Sequence, residues 1–210
     1  MKKIIYTALL TLFVSVPVQA QDAVTVVNYE ISVPTGDTKE YIDKTSFRGF
    51  GIDFRKFLGG ENKVSVGGRF AWHVFDSGAI TETISIRTEE LNGDVSGTQF
   101  RYINAFPIQG VFHYYFGEPG RVNAYVGAGV GLYYIKQRFE IGLLATEQNN
   151  WHFGVAPEFG VNIPVSDSVA ANVNVMYNYA AASGTDVSGE KTGYDYFSIN
   201  VGLAFYNDIF

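Results

Sequence analysis

The stretch Trp151-His152-Phe153-Gly154-Val155-Ala156-Pro157-Glu158-Phe159-Gly160-Val161-Asn162-Ile163 decides the fold. Its odd positions are apolar: Trp151, Phe153, Val155, Pro157, Phe159, Val161 and Ile163. Its even positions are small or polar: His152, Gly154, Ala156, Glu158, Gly160 and Asn162. Neighbouring side chains of a strand point to opposite faces, so this period of two predicts a strand with one apolar and one polar face. The pattern recurs downstream. Val169, Ala171, Val173, Val175, Tyr177 and Tyr179 oppose Ala170, Asn172, Asn174, Met176 and Asn178; Phe197, Ile199, Val201, Leu203 and Phe205 oppose Ser198, Asn200, Gly202 and Ala204.

Upstream the alternation continues with more interruptions. Strands are predicted near 24–33, 47–58, 63–75, 101–116, 122–135, 151–163, 169–181 and 194–206. The connections alternate in length. Those at 34–46, 76–100, 136–150 and 182–193 are long, while 59–62, 117–121 and 164–168 are short and rich in turn residues. Eight strands joined long, short, long, short describe an antiparallel meander whose two ends face different surroundings, and the even number suits a closed up-and-down barrel.

Composition sharpens the choice. Of 210 residues, 17% are charged, against roughly 25% in ordinary soluble domains, and 23 are glycine. Mean hydropathy is +0.04, close to neutral. There is no cysteine, which excludes disulfides and thiolate-held metal. The net charge of −6 argues against nucleic acid as a partner. After residue 20 no run of about 18 apolar residues offers a membrane helix.

Residues 1–20 read as a secretory signal peptide. Met1-Lys2-Lys3 is basic, Ile4 to Val18 is apolar, and Val18-Gln19-Ala20 supplies a small-residue cleavage site. The expected mature chain, 21–210, is a single barrel domain with 13 Lys and Arg against 21 acids, a net of −8.

Alternation alone leaves open which face is outside. A soluble barrel packs its apolar face inward, while a membrane barrel turns it to lipid. The polar faces here carry Gly, Ala, Asn and Ser rather than the Lys and Glu of a solvent-washed surface. Small polar residues suit the interior of an eight-stranded barrel, which side chains fill. Trp72, Tyr134, Trp151 and Tyr179 fall toward the long connections, as in an interfacial girdle. Phe116, Phe205 and Phe57 or Leu58 fall toward the short ones. The fold expected is an all-β, eight-stranded antiparallel transmembrane barrel, with bulges near Pro107 and Pro157, which remove ladder donors.

From these residues the chain resembles the small outer-membrane β-barrel proteins of Gram-negative bacteria, of the OmpX type and the barrel part of the OmpA type. The resemblance rests on the signal ending Val18-Gln19-Ala20, the eight alternating strands, Ser46-Phe47-Arg48-Gly49-Phe50, Tyr115-Phe116-Gly117-Glu118-Pro119-Gly120, and the closing Phe205-Tyr206-Asn207-Asp208-Ile209-Phe210. It implies an outer-membrane location, contact with membrane lipid and lipopolysaccharide, and insertion by the β-barrel assembly machinery. Phe205, Tyr206 and Phe210 would be the C-terminal signal for that machinery, although Phe210 is out of phase with Phe205 by one residue. A monomer is expected.

By register, Glu30, Asp53, Arg55, Arg69 and Glu158 point into the lumen. Buried charges must pair, so they are expected to form a network that plugs the barrel. His73, His113 and His152 also point inward, but His113 lies toward the opposite end, so no metal site is expected. A lipid-modifying enzyme would need a nucleophile beside a base. Ser77 and Asp76 near His73 are the nearest approach, with Ser46 and Ser183 as other loop serines. Neither catalytic residues nor a cofactor are assigned.

Between strands three and four, Ile80, Ile84 and Ile86 alternate with Thr81, Thr83 and Ser85, Asn92-Gly93 is a hairpin turn signal, and Val95 to Phe100 returns. This predicts a β-hairpin beyond the membrane. The four long connections hold twelve acids and six bases, a net of −6. The reading expected is a non-enzymatic scaffold that binds an unidentified ligand through acidic outer loops. Passage of a small or hydrophobic ligand, as in the OmpW type, is the alternative, and a lipid A-modifying enzyme is the third.

Overall fold

The computed structural model describes residues 23–59, 62–87, 92–117, 121–142, 144–187, 189 and 191–207. The expected signal peptide lies outside them. In chain order the elements are β1 (Ala23–Thr35), α1 (Gly36–Tyr41), β2 (Ser46–Leu58), β3 (Val64–Asp76), β4 (Ile80–Arg87), β5 (Asn92–Tyr115), β6 (Asn123–Ile141), β7 (Leu144–Ser166), β8 (Val169–Ala180) and β9 (Tyr194–Asn207).

All pairings are antiparallel. The sheet runs β3-β2-β1-β9-β8-β7-β6-β5-β4, and β3 also pairs with β5. That last ladder closes eight strands into a ring and leaves β4 outside it. Closure satisfies both edges of every ring strand, as a strand in lipid requires. The short connections gather at the end that also holds Ala23 and Asn207; α1 and the long connections gather at the other.

Period two sets the faces. Phe54 and Phe159 point outward at 58% and 54% exposure, whereas their neighbours Asp53 and Glu158 are 0% and 5% exposed. The outward face is apolar along every ring strand. Near the long-connection end it carries a run of rings: Trp72 stacks on Phe106 at 5.9 Å, Phe106 meets Tyr134 at 6.1 Å, and Tyr134 meets Trp151 at 5.0 Å. The Trp72 indole donates to Asn104 at 3.1 Å, giving its polar end a partner at the rim of the apolar band.

Three details differ from expectation. First, no bulge forms at Pro107 or Pro157. Each keeps its place in the ladder to β6, and pairing is skipped only toward β3 or β8, where the missing N–H would have pointed. The register shifts fall instead at Glu30/Ser32 and Pro164/Ser166. Second, the connection 136–150 is not a loop. The β6–β7 ladder runs unbroken to Ile141↔Leu144, with Gly142 at φ +56° in the reversal, where a side chain would strain the backbone. Third, the hairpin forms, but Asn92 and Gly93 already pair with Arg87 and Ile86. Asn92-Gly93 is therefore not the reversal, and residues 88–91 lie outside the described residues. The β4–β5 register follows the β3–β5 register to within one residue, and a reversal at Asn92-Gly93 would break that continuity.

Candidate functional site

The lumen is filled in three layers. Toward the short connections Val24, Val26, Phe57, Tyr115, Tyr125, Ala170 and Ala204 form a buried apolar cluster, with Tyr206 packed against it. Toward the long connections Ile42, Phe75, Ile103, Ala105, Tyr133, Ile135, Ala180, Tyr194 and Tyr196 form a second. Between them lie the charged side chains.

All five lumen charges singled out in the sequence are buried and in one network. Arg69 bonds to Glu30, and its other terminal nitrogen lies 3.4 Å from Asp53. Arg55 bonds to Asp53 at 2.5 Å and reaches Glu158 at 3.4 Å. His73 Nε2 lies 3.1 Å from Glu30, and His113 Nε2 lies 3.3 Å from Glu158. Ser32 and Ser65 sit on the Nδ1 atoms of His73 and His113, at 2.8 and 3.5 Å. The result is a chain Ser32–His73–Glu30–Arg69–Asp53–Arg55–Glu158–His113–Ser65. The Arg55 guanidinium also lies over the Tyr125 ring, 5.1 Å from its centroid.

A ladder of amides fills the opposite wall. Asn172 donates to Asn162 at 2.7 Å, Asn174 to Asn172 at 2.8 Å, and Asn200 to Asn174 at 2.6 Å. Gln109 donates to the Tyr133 hydroxyl at 2.8 Å, which donates to Asn178 at 3.1 Å. Glycines make room for these groups. A Cβ at Gly127 would collide with His113, and one at Gly160 with Tyr125.

The sequence reading stressed the aromatics of the outer girdles and gave no position to Tyr115, Tyr133 and Tyr196; Tyr125 alone fell on the polar face by its phase. Tyr115, Tyr125, Tyr133 and Tyr196 are buried inside. Phase alone was the available signal: Tyr125 and Tyr133 share it with Gly127, Gly129 and Gly131. Phe57 is likewise inward, and Leu58 is the outward member of that pair.

The histidines do not converge, and among the described residues no three His, Cys, Asp or Glu side chains form a group fit for a metal ion. Ser77 does not reach His73: its hydroxyl donates to Gly78 O and accepts from the Arg101 amide. Asp76 pairs with Arg48 at 3.2 Å. Of the C-terminal residues, Phe205 points outward, Tyr206 packs on the lower cluster, and Phe210 lies outside the described residues.

At the long-connection end the described residues cover the mouth of the barrel. Ile42, just after α1, is buried in the upper cluster. Thr38 accepts from the Asp195 amide at 2.9 Å, Asp37 from the Gly193 amide at 3.3 Å, and Arg101 donates to Tyr41 O at 3.3 Å. The Tyr41 hydroxyl donates to Arg138 O at 3.2 Å. Burial raises the Tyr41 pKa above the ordinary tyrosine value; Arg101 opposes this, and Tyr194 and Asp186 add to it. Above this floor Asp37, Glu40, Tyr41, Gln137, Asp186, Val187, Lys191, Thr192 and Tyr194 line a cavity of about 320 Å³.

Comparison with known proteins agrees with this architecture. Among solved structures, Ail, the attachment invasion locus protein of Yersinia pestis, superposes with a TM-score of 0.51 at 12% identity, covering 89% of this chain and 100% of that one. Ail in complex with the heparin analogue sucrose octasulfate gives 0.52 at 14% identity, with the same coverage. Neisserial surface protein A gives 0.48 at 12% identity over 88% of this chain and 95% of that one. These likenesses concern the fold. Comparison with curated proteins gives no match. A family model described as the outer membrane protein beta-barrel domain matches residues 6–205. A closed eight-stranded ring, apolar outside and polar within, and a family match over nearly the whole chain lead to one conclusion: this chain belongs to the outer membrane protein beta-barrel domain family.

Proposed function

We propose that this outer-membrane barrel is a non-enzymatic scaffold, sealed through its middle, that binds partners at its outer surface. The observation that carries this reading is the filled lumen. An ion-pair chain and an amide ladder occupy its centre, with apolar clusters above and below. An eight-stranded barrel is only wide enough for side chains to fill, so filling at three levels opposes solute passage.

The two Ser–His–Glu groups support a structural rather than catalytic role. Ser32, His73 and Glu30 are 1%, 0% and 0% exposed, so a substrate has no approach to them. The export signal at 1–20, assembly through the C-terminal strand, and contact with lipopolysaccharide complete the proposal. The neighbour's polysulfated ligand does not transfer, because the long connections here carry a net of −6 and would repel it.

Planar-bilayer recording tests the seal. The expected trace shows no sustained single-channel openings; stable openings would favour ligand passage instead. Mass spectrometry of lipid A from cells with and without the protein tests the absence of enzymatic action, and an altered acyl pattern would overturn it.

A further inference from the structure

The aromatic run on the lipid-facing side ends at the foot of a charged groove. Phe106, Tyr134 and Trp151 face one another across β5, β6 and β7, and the ladders continue unbroken beyond them. The outward residues past the rings therefore fall into rows. Asn104 and Lys136 share the first row, Tyr102, Arg138 and Glu147 the second, and Glu140 stands in the third. Successive rows are two residues apart, about 7 Å along a strand. These six side chains line an open groove of about 340 Å³. The Trp72 indole ties the girdle to it by donating to Asn104 at 3.1 Å.

The groove is neutral as a whole, but its charges are ordered by height. The two cations, Lys136 and Arg138, occupy the rows nearest the apolar band. The two carboxylates, Glu147 and Glu140, occupy the rows furthest from it. Lys136 pairs with Glu147 at 2.9 Å and Arg138 with Glu140 at 2.5 Å. All four side chains are between 29% and 49% exposed, so the pairs are surface pairs that hold only weakly against a competing ion. A guanidinium has five N–H donors and a carboxylate about four acceptor sites, so each partner keeps capacity for a ligand.

Cations below and carboxylates above are complementary to a lipid headgroup with phosphate next to the glycerol and ammonium further out. A headgroup that bears only phosphate would meet two carboxylates with no counter-charge. A quaternary ammonium would offer those carboxylates no N–H donor. Below the rings, Leu132 and Val130 continue the outward face of β6 and are exposed, which gives acyl chains an apolar surface.

We propose that this groove binds a membrane lipid with a phosphoethanolamine headgroup. The phosphate oxygens accept from Lys136 and Arg138, the ammonium donates to Glu140 and Glu147, and the acyl chains run down β6 past Tyr134. The site lies on the outer wall, so it is independent of the sealed lumen and requires only that the apolar band lies in lipid.

The test reconstitutes the full mature chain in vesicles of phosphatidylethanolamine, phosphatidylcholine and phosphatidylglycerol in equal parts. Native mass spectrometry then reads which lipids stay bound on release. Phosphatidylethanolamine is expected to be retained at least about tenfold over each of the others, the worth of one charge-assisted hydrogen bond. Lys136→Gln with Arg138→Gln is expected to lower that preference by about tenfold. Glu140→Gln with Glu147→Gln is expected to turn it toward phosphatidylglycerol, a reversal that a merely structural rim would not produce. Wild type retaining phosphatidylglycerol best, no preference among the three lipids, or an unaltered distribution in either double variant would overturn the assignment. Quenching of Trp72 and Trp151 by brominated lipids in the same vesicles separates the two ways of failing. Quenching at headgroup depth without retained phosphatidylethanolamine sinks the groove alone. Quenching chiefly from the chain terminus sinks the groove and the placement of the band together, because the charged rows would then lie within hydrocarbon.

Discussion

Arg69 on β3 reaches Glu30 on β1 across the whole width of β2, and it does so over Gly51. A Cβ at Gly51 would collide with Glu30 Oε1 and stand 3.4 Å from Arg69. The pair therefore needs a residue without a side chain on the strand between its members. Gly51→Val is expected to cost about 1–3 kcal/mol by overpacking. Urea unfolding in phospholipid vesicles measures it, and wild-type stability in this variant would show that the pair does not depend on that gap.

Removing one member of the pair is expected to cost more than removing both. Glu30→Leu leaves Arg69 buried with only the 3.4 Å contact to Asp53, and about 3–5 kcal/mol is expected to be lost. Adding Arg69→Met removes the orphaned charge and should restore much of that. A double-mutant cycle reads the coupling, and strictly additive losses would contradict a buried, mutually dependent pair.

On the proposed reading the two apolar clusters act as seals in series with the charged layer between them. Tyr133→Ala with Tyr196→Ala opens only the upper one, because Tyr115 and Tyr125 still close the lower. Bilayer conductance is expected to stay absent in that variant. It is expected to stay absent even when Tyr115→Ala and Tyr125→Ala are added, because the ion pairs and amides between the clusters still fill the lumen. Current in the upper double variant alone would show that the lower cluster does not close the path.

The chain has two tryptophans, Trp72 and Trp151, and both point outward in the aromatic run at the long-connection end of the apolar band. Their fluorescence is expected to be quenched more strongly by lipids brominated near the headgroup than by lipids brominated near the chain terminus. Deeper quenching for the terminal position would move the girdle toward the bilayer centre.

The arm formed by β4 and the start of β5 stands apart from the ring, since β4 pairs only with β5. Joining Ile80 directly to Gln99, which face each other in the ladder, should leave the ring closed. The shortened chain is expected to fold with an unfolding midpoint close to wild type in vesicles. Failure to fold would show that the arm contributes to closure.

Much of this was legible in the residues because alternation is a local property of the backbone. Trp151 to Ile163 alone fixed a strand and its two faces, and the same rule put Glu30, Asp53, Arg55, Arg69 and Glu158 inside. The bland polar face of Gly, Asn and Ser identified an interior rather than a washed surface. Phase also held the lumen tyrosines: it put Tyr125 with the inward glycines, and it reaches Tyr115, Tyr133 and Tyr196 only where the alternation is followed to the strand ends.

What the sequence could not supply is which inward residues meet. Arg69 finds Glu30, and Arg55 finds Glu158, through the stagger of strands that are distant in sequence, and stagger accumulates over every ladder of the ring. The unbroken ladder past Lys136, the turn displaced from Asn92-Gly93, and the docking of Ile42 over the lumen have the same origin. Period two determines the face of each side chain by itself. The height of that side chain in the barrel, and so its partner, exists only once the ring has closed.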